Sequence, residues 1–377
     1  MKDLLGRFLV TLGMTIIMFI QKLRLQNFRN YSKKEFEFSG GTTLIVGKNT
    51  VGKTNILEAV YLLATGKSFR AGLESEMIAY ESEIARVKGR ISDGEPATQK
   101  AQSRAESTDL EIILTRGEVA GEKVARKKFL VNGIAKRMFD FVGNLKAVYF
   151  RPEDLELVTN SPSLRRKYLD QVLFQVDKEY GRNSLSYEKA VRQRNKLLEN
   201  IRENGVPRSQ LLFWNQLLIR NGEYITNLRE EYINFVNNFE YPVSNIKYLL
   251  EYNKNIISPA RLEEYAEEEI AAAATLVGPH RDDFTFRLKD RDLNAFGSRG
   301  EQRMGVLWLK LCELEFIAQK TGQRPMLLLD DIFSELDEEH RNLVLEIIPN
   351  QQTIINTTDF GLIGDRDLKG LEVIKLE

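Results

Sequence analysis

The octapeptide GKNTVGKT, Gly47 to Thr54, matches the pattern G-x-x-x-x-G-K-[ST] in full. Such a loop wraps a polyphosphate, because glycines let backbone N–H groups approach its oxygens. Gly47, Lys48, Asn49, Thr50, Val51 and Gly52 would form the cradle. Lys53 would set its positive charge against the β- and γ-phosphates of ATP and assist their cleavage, and Thr54 would offer its hydroxyl to Mg2+. Downstream, MLLLDD ends an apolar run on two acids. A buried strand of this kind delivers Asp330 to its C-terminal end, where P-loop enzymes keep the carboxylate that organises Mg2+. Asp331, the next residue, is placed to orient an attacking water and accept its proton.

These residues need elements to hold them. TTLIVG reads as a β-branched strand entering the loop, and TNILEAVYLLATG as a helix leaving it, closed by Gly66. Strand, glycine loop and helix in that order are the context that makes the motif specific. Period-two patterning predicts a hairpin over Phe19–Phe28 and Lys34–Phe38, and further strands from Ile84 to Phe150 with an Asn-Gly turn in FLVNG. The stretch SDGEPATQKAQSRAESTD reads as a polar loop. From Ser161, expected to cap a helix that Pro162 opens, helical patterning runs to about Asn237, broken once at NGVPRSQ. NIKYLLEYN and FTFRL return to strand, a helix follows the acidic run, and QTIINTTD is expected as the last strand. The fold class expected is therefore α/β, a P-loop ATPase with an inserted helical arm.

Lys+Arg and Asp+Glu each number 54 in 377 residues, so net charge draws the chain to no polyanion, and any DNA contact must be local. The single cysteine, Cys312, excludes an internal disulfide and suits a reducing cytoplasm. Lys2 and Arg7 ahead of the apolar run Phe8–Ile20 resemble a weak signal peptide, but the run is short for a bilayer and lacks a cleavage site. Residues 1–17 are read as an extension, with Met18 the working start and no membrane role.

A third stretch, GSRGEQRM, heads the apolar helix GVLWLKLCELEFIAQ upstream of Asp330. Ser298 and the N–H groups near Gly300 would stand at a helix N-terminus, which attracts anions, and Arg299 adds charge. The same residues would also serve as a plain N-cap with Glu301 in the first turn, worth about 1 kcal/mol. SRGEQ resembles the signature motif of ATP-cassette ATPases, and its position before the acidic strand and SELD (Ser334 to Asp337) favours that reading. In that superfamily the signature faces the γ-phosphate of ATP held by a second subunit. Asp331 stands where those enzymes usually carry Glu, and a shorter acid predicts slow turnover.

LRLQNFRNY, GKNTVGKTNILEAVYLLATGKSFR, RPEDLELV, SPSLRRKYLD, GPHRDDF, SRGEQR, LLLDDIFSELD and TTD together resemble the RecF family of bacterial recombination-mediator ATPases, related to SMC heads. The resemblance covers almost everything after Met18. It implies an ATP-dependent homodimer on DNA, slow DNA-stimulated hydrolysis, and work with RecR and RecO to load RecA at single-stranded gaps and junctions in repair and SOS induction. It also implies a head over 18–152 and 245–377 with a helical arm at 153–244. Two positions depart from pattern: Phe69 stands where the family suggests His, and Thr358 where transporters place a switch histidine. The missing histidine and the long arm count against the alternative, a transporter-coupling subunit. Two basic patches compete for sequence-independent DNA contact. One runs from Lys123 to Lys146; the other holds Arg165, Arg166, Lys167, Arg192, Arg194 and Lys196. His280 reads as a structural or interface residue and Trp214 as part of the arm's core.

Overall fold

The computed structural model describes residues 16–94, 107–239, 247–358 and 371–376. Most of the expected polar loop at 92–109, and most of the first 17 residues, lie outside the described residues. The strands and helices that matter run in chain order. First come β1 (Ile16–Phe28), β2 (Tyr31–Glu37), β3 (Thr42–Val46), α1 (Lys53–Thr65), β4 (Ile84–Asp93) and β5 (Ser107–Thr115). Next are β6 (Lys127–Val131), β7 (Ile134–Lys136), β8 (Ala147–Phe150), α2 (Pro162–Val176), α3 (Lys178–Asn204) and α4 (Leu212–Asn238). Last are β9 (Tyr248–Asn253), β10 (Asp283–Leu288), α5 (Arg299–Thr321), β11 (Met326–Asp330), α6 (Glu338–Ile347), β12 (Thr353–Thr357) and β13 (Glu372–Lys375). They fall into two compact units, Met1–Asp154 with Glu313–Glu377, and Leu155–Cys312.

In the first unit β8, β11, β12, β3 and β13 lie side by side in that order, each pair parallel. Every residue of β8, β11 and β12 is buried. Parallel strands covered on both faces read as unbroken apolar or β-branched runs, and MLLLD and TIINT do so. β13 overturns one expectation, because QTIINTTD is not the last strand. Its four residues EVIK sit at the sheet edge against β3 and alternate between half-buried and exposed, too short a pattern to stand out. A second, antiparallel sheet joins β1, β2, β4, β5, β6 and β7. β4 alternates buried and exposed along much of its length, as a strand with one wet face must. Asn132 (φ 50°) and Gly133 (φ 77°) make the expected two-residue turn from β6 to β7.

The second unit carries the expected helical hairpin, α3 and α4, broken at Gly205 by a left-handed residue and a short turn of 3-10 helix at Arg208–Leu211. All but the first two residues of the expected arm, 153–244, fall in this unit, which runs on to Cys312. Ser161 precedes α2 as expected, but its hydroxyl makes no cap; it meets the Ser163 hydroxyl at 2.7 Å, and the Ser161 carbonyl takes the Leu164 N–H. Tyr168, Tyr180 and Tyr232 fill the unit's core. Trp214 is only half-buried, and its neighbours Leu212 and Phe213 are each 62% exposed, so the start of α4 is surface rather than the arm's core.

Candidate nucleotide site

The Gly47–Thr54 loop leaves β3 and turns into α1. Thr50 (φ 72°) and Gly52 (φ 110°) are both left-handed. A Cβ at Gly52 would fall 2.7–2.8 Å from side-chain atoms of Asn30 and Tyr31, so only glycine fits that approach. Those two residues clamp the loop. Asn30 Nδ2 donates to the Val51 carbonyl at 3.0 Å, and Tyr31 Oη donates to the Gly52 carbonyl at 3.2 Å. Asn55 on α1 donates to Asn30 Oδ1 at 2.7 Å, closing the contact. Asn30 comes from the β1–β2 turn and Tyr31 opens β2, both within a motif that serves in the sequence only as a family mark.

Lys53 is buried, and its Nζ donates to the carbonyls of Gly47 at 2.6 Å and Lys48 at 3.0 Å. Burial pushes its pKa down, while Asp331 and Asp330 pull it up. Thr54 Oγ1 donates to Asp330 Oδ1 at 3.0 Å, so the loop hydroxyl and the acidic strand are brought together. Asn356 on β12 donates to the same oxygen, and Tyr149 on β8 donates to Asp330 Oδ2. Neither Asn356 nor Tyr149 was singled out from sequence. Asp331 follows in the left-handed region, φ 49° and ψ 28°. Its N–H is held by the Asn356 side-chain oxygen at 2.7 Å and the Asn356 carbonyl at 3.2 Å. Asp331 Oδ1 is buried with no hydrogen-bond partner among the described residues. Burial and the adjacent Asp330 raise its pKa, against Lys53 and the Thr358 backbone. The Asp330 carboxylate and the Thr54 hydroxyl form a hard-oxygen donor set. It fits Mg2+, which takes one or two carboxylates and leaves its other positions to waters and phosphate oxygens.

On α1, the fully buried Glu58 accepts from Arg29 at 2.5 and 2.8 Å, from Arg70 at 3.0 Å and from Ser68 at 2.6 Å. Two guanidiniums on one carboxylate leave positive charge beside the loop, and Arg70 also reaches Asn55 at 2.6 Å. Phe69, at the position where the family suggests His, stacks on Tyr149 with ring centroids 4.0 Å apart.

Ser298 lies in the second unit, at the head of α5. Its hydroxyl accepts the Glu301 N–H at 3.2 Å, and Glu301 Oε2 accepts the Ser298 N–H at 2.8 Å. That is a reciprocal capping box. Arg299 and Gly300 are exposed. A Cβ on Gly300 would meet only Ser298 Oγ, at 4.0 Å.

Burial divides the two basic patches. Arg194 is 2% exposed and donates to Glu269 at 2.6 Å, Thr275 at 3.0 Å and Asn215 at 2.7 Å. Arg165 is buried on Asp283, and Arg166 donates to the Asp282 carbonyl at 2.8 Å. Half of the arm patch is therefore internal wiring. In the strand patch Lys127 and Lys146 are likewise engaged, with Glu74 and Gln323, but Lys123, Arg126, Lys128, Lys136 and Arg137 are exposed around β6 and β7. His280 is structural, as expected, set between Tyr187 Oη and the Thr275 carbonyl at 2.9 Å each. Among the described residues no helix is long and apolar enough to cross a membrane.

A family model described as the RecF/RecN/SMC N terminal domain matches residues 19–363. The DNA replication and repair protein RecF of Herpetosiphon aurantiacus is 38% identical over 368 residues, covering 91% of this chain and 94% of that protein. The protein of the same name from Lachnoclostridium phytofermentans is 36% identical over 351 residues, covering 90% and 93%. A solved structure of the recombination mediator RecF with ATP, of the RecFOR pathway, superposes at TM-score 0.83 with 31% identity over 96% of both chains. The Smc head of Pyrococcus furiosus, at TM-score 0.50 and 16% identity over 96% of this chain and 94% of that one, shares the fold alone. These matches set the transporter-coupling alternative aside. With its P-loop, its acidic strand and this kinship over nearly its whole length, the chain belongs to the RecF family of DNA replication and repair proteins, P-loop ATPases of the SMC type.

Proposed function

We propose that this chain binds ATP with Mg2+ at Gly47–Thr54 and pairs with a second copy through that nucleotide. As an ATP-gated clamp it engages gapped DNA and single-strand/double-strand junctions in the cytoplasm. With RecO and RecR it promotes RecA loading in recombinational repair and SOS induction. The observation that carries this reading is the convergence of Thr54 on Asp330 beside the buried Lys53, with an unpartnered Asp331 oxygen next to them. Bound ATP and Mg2+ supply the scissile anhydride and the charge that steadies its phosphates. Lys53 and the loop N–H groups hold the β- and γ-phosphates, Thr54 and Asp330 present oxygens to the metal, and Asp331 orients the attacking water. Hydrolysis is slow and stimulated by DNA.

Ser298, Arg299 and Gly300 act on the partner copy's ATP. Gly300 supports this. It sits in the first turn of α5, needs no left-handed backbone and has open space where a side chain would go. That open position suits close approach by an outside phosphate.

Sedimentation tests the proposal on the wild type and Ser298→Arg, with no nucleotide, with ATP, and with ATP plus gapped DNA. The expected result is a dimer in wild type only, requiring ATP and strengthened by DNA. A wild type that stays monomeric throughout, or a Ser298→Arg chain that dimerises equally well, would reduce GSRGEQRM to a helix cap.

A further inference from the structure

Asp330 is held by donors from three separate elements. Thr54 and Asn356 both donate to Oδ1, whereas Oδ2 takes the Tyr149 hydroxyl. Tyr149 reaches it from the neighbouring strand, since β8 pairs with β11 and sets Tyr149 opposite Leu328. The ring is not free to swing. Phe69 lies across one side at 4.0 Å and 18° between planes, and Tyr61 packs at 5.6 Å. The Arg151 guanidinium stands 5.3 Å from the Phe69 centroid and 6.0 Å from the Tyr149 centroid. Asp154 fixes that guanidinium in turn, accepting from Arg151 Nε at 3.4 Å and from its N–H at 3.2 Å. A phenylalanine suits the buried position 69 because it can stack without leaving a ring nitrogen to satisfy.

We infer that Tyr149 is a positioning residue for the metal-organising carboxylate, and that Phe69 locks it there. The inference rests on the nucleotide reading above. A tyrosine needed only to fill space would be replaced without loss by phenylalanine. Here the hydroxyl is committed to one carboxylate oxygen, and it fixes the plane in which Asp330 meets the site. The Tyr149 hydroxyl is the donor in this contact, since the carboxylate oxygen can only accept. In this chain position 69 acts on the site through a stacked tyrosine.

The test is a fluorescence titration of the full chain with an N-methylanthraniloyl ATP, in EDTA and in Mg2+, alongside thermal unfolding. Tyr149→Phe should stay folded and keep the wild-type affinity in EDTA, with a lowered melting point, yet lose about tenfold of the tightening that Mg2+ brings, as expected for one hydrogen bond to a charged group. Phe69→Leu should move the same way by a smaller factor. Full Mg2+ tightening in Tyr149→Phe, or equal losses in EDTA and Mg2+, would overturn the inference. A wild-type chain that binds the probe under neither condition would overturn both it and the nucleotide reading.

Discussion

Single residues decide what this site can do, and some of them escape sequence patterns for a physical reason. Lys53, Thr54 and Asp330 were legible because each sits in a motif whose spacing is fixed by local geometry. Tyr149 and Asn356 were not, because they reach Asp330 only once β8 and β12 flank β11, and strand adjacency between distant segments leaves no local mark. Asn30 was visible only as a letter in a family stretch, since its clamp on the Val51 carbonyl depends on where the β1–β2 turn lands. His280 was read correctly as structural, and its surroundings predict a pH effect. Burial lowers its pKa from 6.5 to about 4, with the Thr275 carbonyl opposing. The unfolded chain therefore takes up the proton first. The stability this histidine contributes is complete above pH 6.5 and drains away as pH falls through about 4. In chemical denaturation the stability gap between wild type and His280→Gln should be constant above pH 6.5 and shrink by up to about 3 kcal/mol near pH 4. A gap that does not change with pH would show the imidazole to be free to ionise when folded.

At the scale of elements, periodicity revealed most of the strands and both helices of the hairpin, because a two-sided or one-sided burial imposes its own spacing. Charge patterning served less well. Arg165 and Arg194 read as surface cations in a row of basic letters, and only packing shows them committed to Asp283 and Glu269. The β6–β7 hairpin keeps its cations in solvent, so the proposed DNA contact is assigned to it. Lys136→Glu with Arg137→Glu should weaken binding to gapped DNA and flatten its salt dependence, each lost phosphate contact lowering the logarithmic slope by about 0.9. Arg194→Met should leave DNA affinity unchanged and instead cost the second unit about 3 kcal/mol or more, because Glu269 would keep a buried charge with only the Leu276 N–H and no counter-ion. Filter binding across a salt series, with denaturation curves beside it, distinguishes the two; unaltered DNA affinity in the hairpin variant would move the contact elsewhere.

For the whole molecule, the proposed dimer would link nucleotide, folding and self-association. A ligand that binds only the folded chain stabilises it by about 2.7 kcal/mol at a concentration one hundred times its dissociation constant. ATP with Mg2+ should therefore raise the melting temperature, and the rise should grow with protein concentration because dimerisation adds to it. Lys53→Ala should abolish both effects in differential scanning fluorimetry. A rise that persists in that variant would place the nucleotide somewhere other than Gly47–Thr54.

The backbone at Asp331 carries a consequence for how such an ATPase can change. At φ 49° the residue occupies a conformation that short polar side chains tolerate and longer ones resist. The acid at this point is thus chosen by the turn as well as by the chemistry. A longer glutamate would reach further toward a water from a turn that favours the shorter acid, so the exchange would be felt in the backbone after β11 as well as in the reach of the carboxylate.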